Sequence, residues 1–384
     1  MEAGKVIVEA FLRWAETAKA GDRARAANAL GRAYLGTTMP AAERDAAEMA
    51  MTFLLDDPSP RVRLSLAEAL AHAADAPRNV ILSLATDQPE IAAQVILCSP
   101  LFNDADLVDL SSRGDSVTRV LIASRGALGP SIVAAIAEIG DEEEVLCLLE
   151  NSGACWTRAS LKRVTDRLGH SADIRRLLLE MHDLPCDARH LLMQQVSDAL
   201  AEFSLVQATL SPRRLQHVTR EAGEAATVTI AGNVNHDEIS GMVEHLRLSG
   251  RLTPAFLMHT LCSGKVDFFA GAVANLSGCR ELRVRSILGT GRMHAVRALF
   301  EAAGLPRDIS TLFVEATMLW RQTSRSAIET MLDTVSQRLL RRLGRSHGNA
   351  GGVTDLLVMV EKLHIQEQRQ SARNFATQAM PRAA

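Results

Sequence analysis

"MTFLLDDPSPRVRLSLAEALA", residues 51–71, sets two apolar helical runs on either side of a short break. The first run stops at Asp56–Asp57–Pro58 and the second starts at Pro60. Ser59 stands where a helix cap belongs, Pro60 fits a first helical turn with φ already set, and Asp56 and Asp57 lie near the positive helix end. Val62, Leu66, Ala69 and Leu70 then fall on one face at i, i+4, i+7 and i+8. The stretch reads as a helical hairpin whose apolar stripe needs a neighbour.

Similar turn-and-restart signals recur near Asp87–Gln88–Pro89, Gly114–Asp115, Asn151–Ser152–Gly153 and Leu184–Pro185–Cys186–Asp187. Counted from Asp57, Asp87, Asp115, Asn151 and Asp187, the spacings are 30, 28, 36 and 36 residues, and each interval holds two short apolar runs. Paired helices at that period are the signature of an α-solenoid, whose units bury their apolar faces only against one another. The string "DPSPRVRLSLAEAL" (57–70) resembles the second helix of a HEAT repeat. That resemblance implies that Asp57, Pro60 and Arg63 are structural repeat residues, with the Asp and the Arg bonding between neighbouring units. "TDQPEIAAQVIL" (86–97) repeats the pattern without the Arg.

The expected fold is all-α: degenerate HEAT-like helical repeats over residues 1–187, a C-terminal helical bundle over 188–345, and a linker, short helix and frayed tail over 346–384. Within the bundle, Leu191, Leu192, Val196, Leu200, Phe203 and Val206 fall at helical spacing. "ATVTIAG" (226–232) is β-branched but has no partner strand, and reads as a helix end or loop. "LSGRLTP", "CSGK", "LSGCR", "GTGR" and "AGLPRD" punctuate short helices with Gly at ends and Pro at starts. One long helix is expected from Asp308 to Arg345, then the linker "SHGNAGG", a helix from Val353 to Glu367, and fraying after Arg373. "GRLTP" (250–254), "FFAGAVANLSG" (268–278) and "AGLP" (303–306), behind HEAT-like repeats, resemble an alphaproteobacterial family known as a domain of unknown function. The resemblance implies an all-helical cytoplasmic protein and supplies no catalytic residues.

Composition narrows the class. Apolar residues make up 47% and charged residues 23%, as expected of a chain that buries a core. Net charge is −3, but its distribution is uneven: residues 41–110 carry twelve acids and four bases, whereas 280–345 carry twelve Arg and six acids. Opposite halves imply partners of different charge, or self-association. Of the 42 basic residues only five are Lys, an excess of Arg that reads as genomic composition. The six scattered Cys form no CxxC pair and read as small buried hydrophobes of a reducing cytoplasm. Neither a signal-peptide core nor an apolar run of membrane length is apparent, so no membrane association is expected.

Catalytic patterns are sparse. His182, Cys186 and His190 stand at i, i+4 and i+8, but Pro185 interrupts the helix they would need. His236, Glu238 and His245 lack HExxH spacing, so no metal is expected from either set. Lys265 follows Gly264 without Walker spacing, and no GxSxG elbow activates a Ser. Cys279 and His294 have no local activating context. Gly289 and Gly291 before Arg292 make a helix start that could meet an anion, though a plain helix junction explains them as well. No cofactor is implied. The remaining candidates are Arg280, Arg283, Arg285, Arg292 and Arg297, with Arg341 and Arg342 in "RLLRRLGR" (338–345), as anion or nucleic-acid contacts. The expected function is a non-enzymatic protein-interaction adaptor or scaffold of a bacterial regulatory pathway. The alternative is a nucleic-acid-binding HEAT-like protein that uses this Arg cluster, and a homo-oligomer is compatible with both.

Overall fold

Short amphipathic helices, each too small to be stable alone, fold here by stacking on their neighbours. The computed structural model describes residues 10–11, 13–36, 39–325, 334–343 and 351–379. The fold is all-α; among the described residues the one β-type pairing is an isolated parallel bridge between Leu128 and Ala154. The chain divides into two units, Met1–Leu184 and Pro185–Ala384.

In the first unit, α1 (Ala20–Gly36) is followed by five helix pairs. These are α2 (Ala41–Leu55) with α3 (Pro60–Leu70), α4 (Arg78–Leu84) with α5 (Pro89–Cys98), and α6 (Asp104–Arg113) with α7 (Ser116–Ala123). Then come α8 (Pro130–Ile139) with α9 (Glu142–Glu150), and α10 (Arg158–Leu168) with α11 (Ala172–Glu180). Helices α1, α3, α5, α7, α9 and α11 pack successively as one layer, while α2 packs on α4 and α6, α8 and α10 pack in turn on the other side. Leu54, Val62, Leu66, Leu70, Ile81, Ile96 and Ile122 are fully buried between the layers. Each contributes about 1.5–3 kcal/mol of transfer free energy.

The spacing of the helix pairs is more regular than the turn signals suggested. The turns inside the pairs fall at Asp57, Asp87, Asp115, Asp141 and Ser171, which are 30, 28, 26 and 30 residues apart. Asn151 lies instead in the connection between two pairs, and Asp187 lies in the first turn of the second unit. Asn151 is prominent for another reason: its side-chain amide donates to the Ala123 and Arg125 carbonyls, tying that loop to the preceding one. Ser59 also differs from expectation. It occupies the cap position of α3, but its hydroxyl makes no capping bond, and its own N–H donates to Asp57 at 2.9 Å.

The second unit comprises α12 (Cys186–Glu202), α13 (Ser204–Thr209), α14 (Pro212–Gly232), α15 (Ile239–Leu248), α16 (Pro254–Cys262) and α17 (Val266–Ser277). It continues with α18 (Glu281–Thr290), α19 (Met293–Ala302), α20 (Arg307–Arg325), α21 (Val335–Leu343) and α22 (Gly351–Ala379). "ATVTIAG" forms the last turns of α14. Gly250, Gly264, Gly278 and Gly304 all have positive φ and end α15, α16, α17 and α19. After three of them the next N–H reaches back to close the helix: Arg251 to Leu246, Lys265 to Thr260, and Leu305 to Phe300. The scarce aromatics are concentrated, with Phe269, Phe300 and Phe313 in mutual contact at the centre of this core.

Two expectations for the C-terminal part are corrected. The helix predicted from Asp308 to Arg345 is two helices, because Thr334 is non-helical and its hydroxyl caps α21 by accepting from the Gln337 N–H. The intervening residues, like most of the predicted linker, lie outside the described residues. Residues after 346 are not an appended tail either. Leu356, Val360 and Leu363 of α22 are buried in the second unit's core, and the helix continues to Ala379.

Candidate functional site

Helix α2 carries the most conspicuous surface of the first unit. Ala46, Ala47, Ala50, Met51 and Leu54 face the core, and this accounts for one stripe of the helix. A second apolar pair lies on the solvent-facing flank of that stripe: Met49 is 57% exposed and Phe53 is 45% exposed. They are one helical turn apart, with the exposed carboxylates of Asp45 and Asp56 beyond them at either end. The helix is held firmly. The Tyr34 hydroxyl of α1 donates to Glu48, and the Arg44 guanidinium lies 4.3 Å from the Tyr34 ring centroid. Sequence reading missed this pair because the core stripe alone satisfies the helical period; a second apolar stripe on the same helix was the available signal.

Behind this surface, arginines join consecutive pairs of the solenoid. Arg23, Arg63 and Arg119 each occupy the fourth residue of their helix, in α1, α3 and α7. Each donates to a backbone carbonyl just before its own helix, that of Ala18 (2.6 Å), Asp57 (2.5 Å) or Gly114 (2.8 Å). Each also reaches a carboxylate at the start of the next helix in the layer: Asp57 at 2.7 Å, Asp87 at 2.6 Å and Glu144 at 3.1 Å. Burial would raise the carboxyls of Asp57 and Asp87, but the guanidinium bonds outweigh it and hold both below the usual carboxylate range. Pro60 opens α3 and so sets the position of Arg63.

The Arg excess is therefore a chemical requirement at several positions. The guanidiniums of Arg23, Arg63 and Arg119 each bridge groups that a lysine could not reach together. Arg321 shows the same use, donating to the carbonyls of Ile287, Leu288 and Gly291 at 2.6–2.7 Å. That contact also corrects the anion reading of the Gly289–Arg292 junction. Gly289 lies inside α18, the Gly291 N–H is bonded to the Ile287 carbonyl, and the junction's carbonyls enclose a cation.

The predicted basic cluster is partly engaged. Arg285 pairs with Asp267 and with Glu281 (2.8 Å), Arg342 pairs with Glu315 (3.2 Å), and Arg341 is exposed. The Arg297 Nε is shielded from solvent without a hydrogen-bond partner. Arg280, Arg283 and Arg292 are exposed and make no ion pair among the described residues.

The two metal candidates resolve into something else. Each contributes one ring to a pair, the buried His190 and the half-buried His245, with His190 Nδ1 3.0 Å from His245 Nε2 and His190 Nε2 3.1 Å from Thr227 Oγ1. The Thr227 hydroxyl spends its only proton on the Gly223 carbonyl at 2.6 Å. It must therefore accept from His190 Nε2–H, which leaves His190 Nδ1 to accept from His245 Nε2–H. Burial, with the nearby His245 and Arg251, pushes His190 down to about 4. Cys186 is buried, with its thiol pushed up to about 12, while His182 is exposed. His236 sits 4.0 Å from Glu281. No group of three or more metal-type ligands occurs among the described residues. Of the six Cys, Cys186 and Cys262 are buried, but Cys98 and Cys155 are exposed, so the reading of all six as core residues does not hold.

Two adjoining clefts of about 210 and 180 Å³ share Glu224, Ala255, His259 and Met359. Burial lowers the His259 imidazole below its ordinary value. Of the two hydroxyls lining these clefts, Thr227 donates to Gly223 as above and Thr253 accepts from the Phe256 N–H.

Residues 91–353 match the model of an uncharacterised protein family conserved in bacteria, DUF2336. The chain belongs to that family. The matched span runs from α5 to the first turn of α22, so it holds the Arg119–Glu144 joint, the His190–His245 pair and the basic residues from Arg280 to Arg342, while α2 precedes it. No curated protein and no solved structure matches the chain. No helix among the described residues is long and apolar enough to cross a membrane.

Proposed function

We propose that the protein is a non-enzymatic interaction scaffold of HEAT-like design, whose first unit offers α2 to a basic, apolar-faced helix of a partner protein. The observation that carries this reading is the exposure of Met49 and Phe53, a turn apart between Asp45 and Asp56 on a helix fixed at Tyr34. Large apolar side chains left in water next to uncompensated charge fit helix-in-groove recognition by a partner of opposite charge. The acidic excess of residues 41–110 would steer such a partner. A bacterial regulatory role and a cytoplasmic setting accord with this reading, and the six free cysteines support a reducing compartment.

A photo-crosslinking amino acid at position 53, installed in cells, should capture one reproducible protein. Capture should fall at least tenfold with Met49→Glu and with the double reversal Asp45→Lys/Asp56→Lys. Loss of the adduct to nucleic acid, or an adduct indifferent to these changes, would overturn the reading. In the nucleic-acid alternative, Arg280→Glu/Arg283→Glu/Arg292→Glu would abolish salt-sensitive binding instead.

A further inference from the structure

A second surface, in the other unit, carries an inference that does not depend on the scaffold reading. Helices α12 and α14 pack on one another as a hairpin, with the six-residue α13 lying on both. Both ends of the hairpin's base are anchored: Ala188, His190 and Leu192 are buried on α12, and Gly223, Thr227, Val228 and Ala231 on α14. Between them, from Met193 to Ala222, not one residue is buried. Yet this arm is apolar along its length. Leu200, Phe203, Leu205 and Val218 are 54%, 57%, 65% and 46% exposed, and Met193, Val196, Val206, Leu210 and Leu215 are half-buried. Two helices can close only one seam between them. Two such hairpins would bury the seams on all sides as a four-helix bundle.

The charges on the arm name the occupant. Asp198 and Glu202 lie in the last turns of α12, at its negative end, and Arg213 and Arg214 lie in the first turn of α14, at its positive end. Each set opposes its own helix dipole. All four side chains are exposed and make no ion pair among the described residues, because α13 separates the two helix ends. A two-fold axis running along the arm places α12 of one chain beside α14 of the other. Asp198 and Glu202 then meet Arg213 and Arg214 of the second copy twice over, as an isologous contact requires. We infer that the α12–α14 hairpin is a homodimerisation arm, and that its partner is the same hairpin of a second copy of this chain.

Sedimentation equilibrium of the full chain at micromolar concentration should show a dimer. Leu200→Asp/Phe203→Asp, at positions more than half exposed, should make the chain monomeric while its circular dichroism stays that of the starting protein and its melting temperature no longer depends on concentration. Asp198→Arg/Glu202→Arg and Arg213→Glu/Arg214→Glu should each weaken the dimer tenfold or more, and an equimolar mixture of the two variants should recover it as a heterodimer. A starting chain that is monomeric at about 100 μM, a dimer unaffected by the two Asp substitutions, or charge-reversed variants that fail to recover on mixing would each overturn the assignment. None of these outcomes bears on capture at position 53.

Discussion

Arg63 holds Asp87 through two parallel N–H···O bonds, at 2.6 and 2.9 Å, while its remaining nitrogen holds the Asp57 carbonyl. One side chain thereby fastens two consecutive helix pairs. The pair is largely shielded, with Arg63 13% and Asp87 15% exposed, so losing one partner strands the other. Arg63→Leu should destabilise the first unit by about 3 kcal/mol, read by chemical denaturation. Arg63→Lys should also cost more than about 1 kcal/mol, since an ammonium cannot make the fork. Because the Asp57 and Asp87 carboxyls are held below their ordinary 3.8, their contribution is present above that value and is lost as pH falls below it.

The second unit should show a different pH response. His190 is neutral in the folded chain down to about pH 4, whereas in the unfolded chain it takes up a proton near 6.5. The unfolded state therefore binds more protons across that window, and stability falls as pH drops from about 6.5 to 4. The loss is on the order of 1–2 kcal/mol. His245 keeps its donor role whether neutral or protonated, so the chain of bonds fails at His190. Thermal melts of His190→Gln against pH should show a shallower slope, the remainder coming from His259, which burial also lowers; an unchanged slope would refute the assignment.

Two glycines should respond in opposite senses to alanine. A Cβ at Gly153 would lie 2.0 Å from the Gly126 carbonyl oxygen, a backbone atom, so Gly153→Ala should cost about 1–3 kcal/mol. Gly223, inside α14, has nothing within 4 Å of the added atom, and Gly223→Ala should stabilise by about 0.5–1 kcal/mol. Denaturant midpoints of the two variants test both signs.

Arg321 closes the junction between α18 and α19 by bonding three carbonyls. Arg321→Ala should leave them short of donors and cost about 2–3 kcal/mol. Earlier hydrogen exchange at residues 287–296 would locate the damage.

Asp57, Pro60 and Arg63 announced the solenoid joint because cap, helix start and fork lie within seven residues. The phase of the repeat was harder to read. Gly140–Asp141 is a quiet turn, and the louder Asn151–Ser152–Gly153 drew the count to a connection between pairs. Glycines 250, 264, 278 and 304 were legible as helix ends because only glycine accepts that backbone readily. His190 and His245 were visible only as fragments of unrelated patterns, being 55 residues apart and joined by tertiary packing. Leu200 does lie on a helix, but Phe203 is the extended residue between α12 and α13, so the expected run through Phe203 and Val206 is broken there; exposure, too, depends on what else folds nearby, which periodicity does not encode.

The fourth helical residue is Arg in α1, α3, α7 and α11 but Ala92 in α5 and Val145 in α9. Where the fork is missing, other contacts take over. Arg78 pairs with Asp106 beside α5, and at the final joint Arg163 pairs with Glu138, both about half exposed, while Arg167 donates to the Ala137 carbonyl. Exposed pairs are screened by salt and buried ones much less. Raising ionic strength should therefore weaken the Arg163–Glu138 contact well before the shielded Arg23–Asp57 fork.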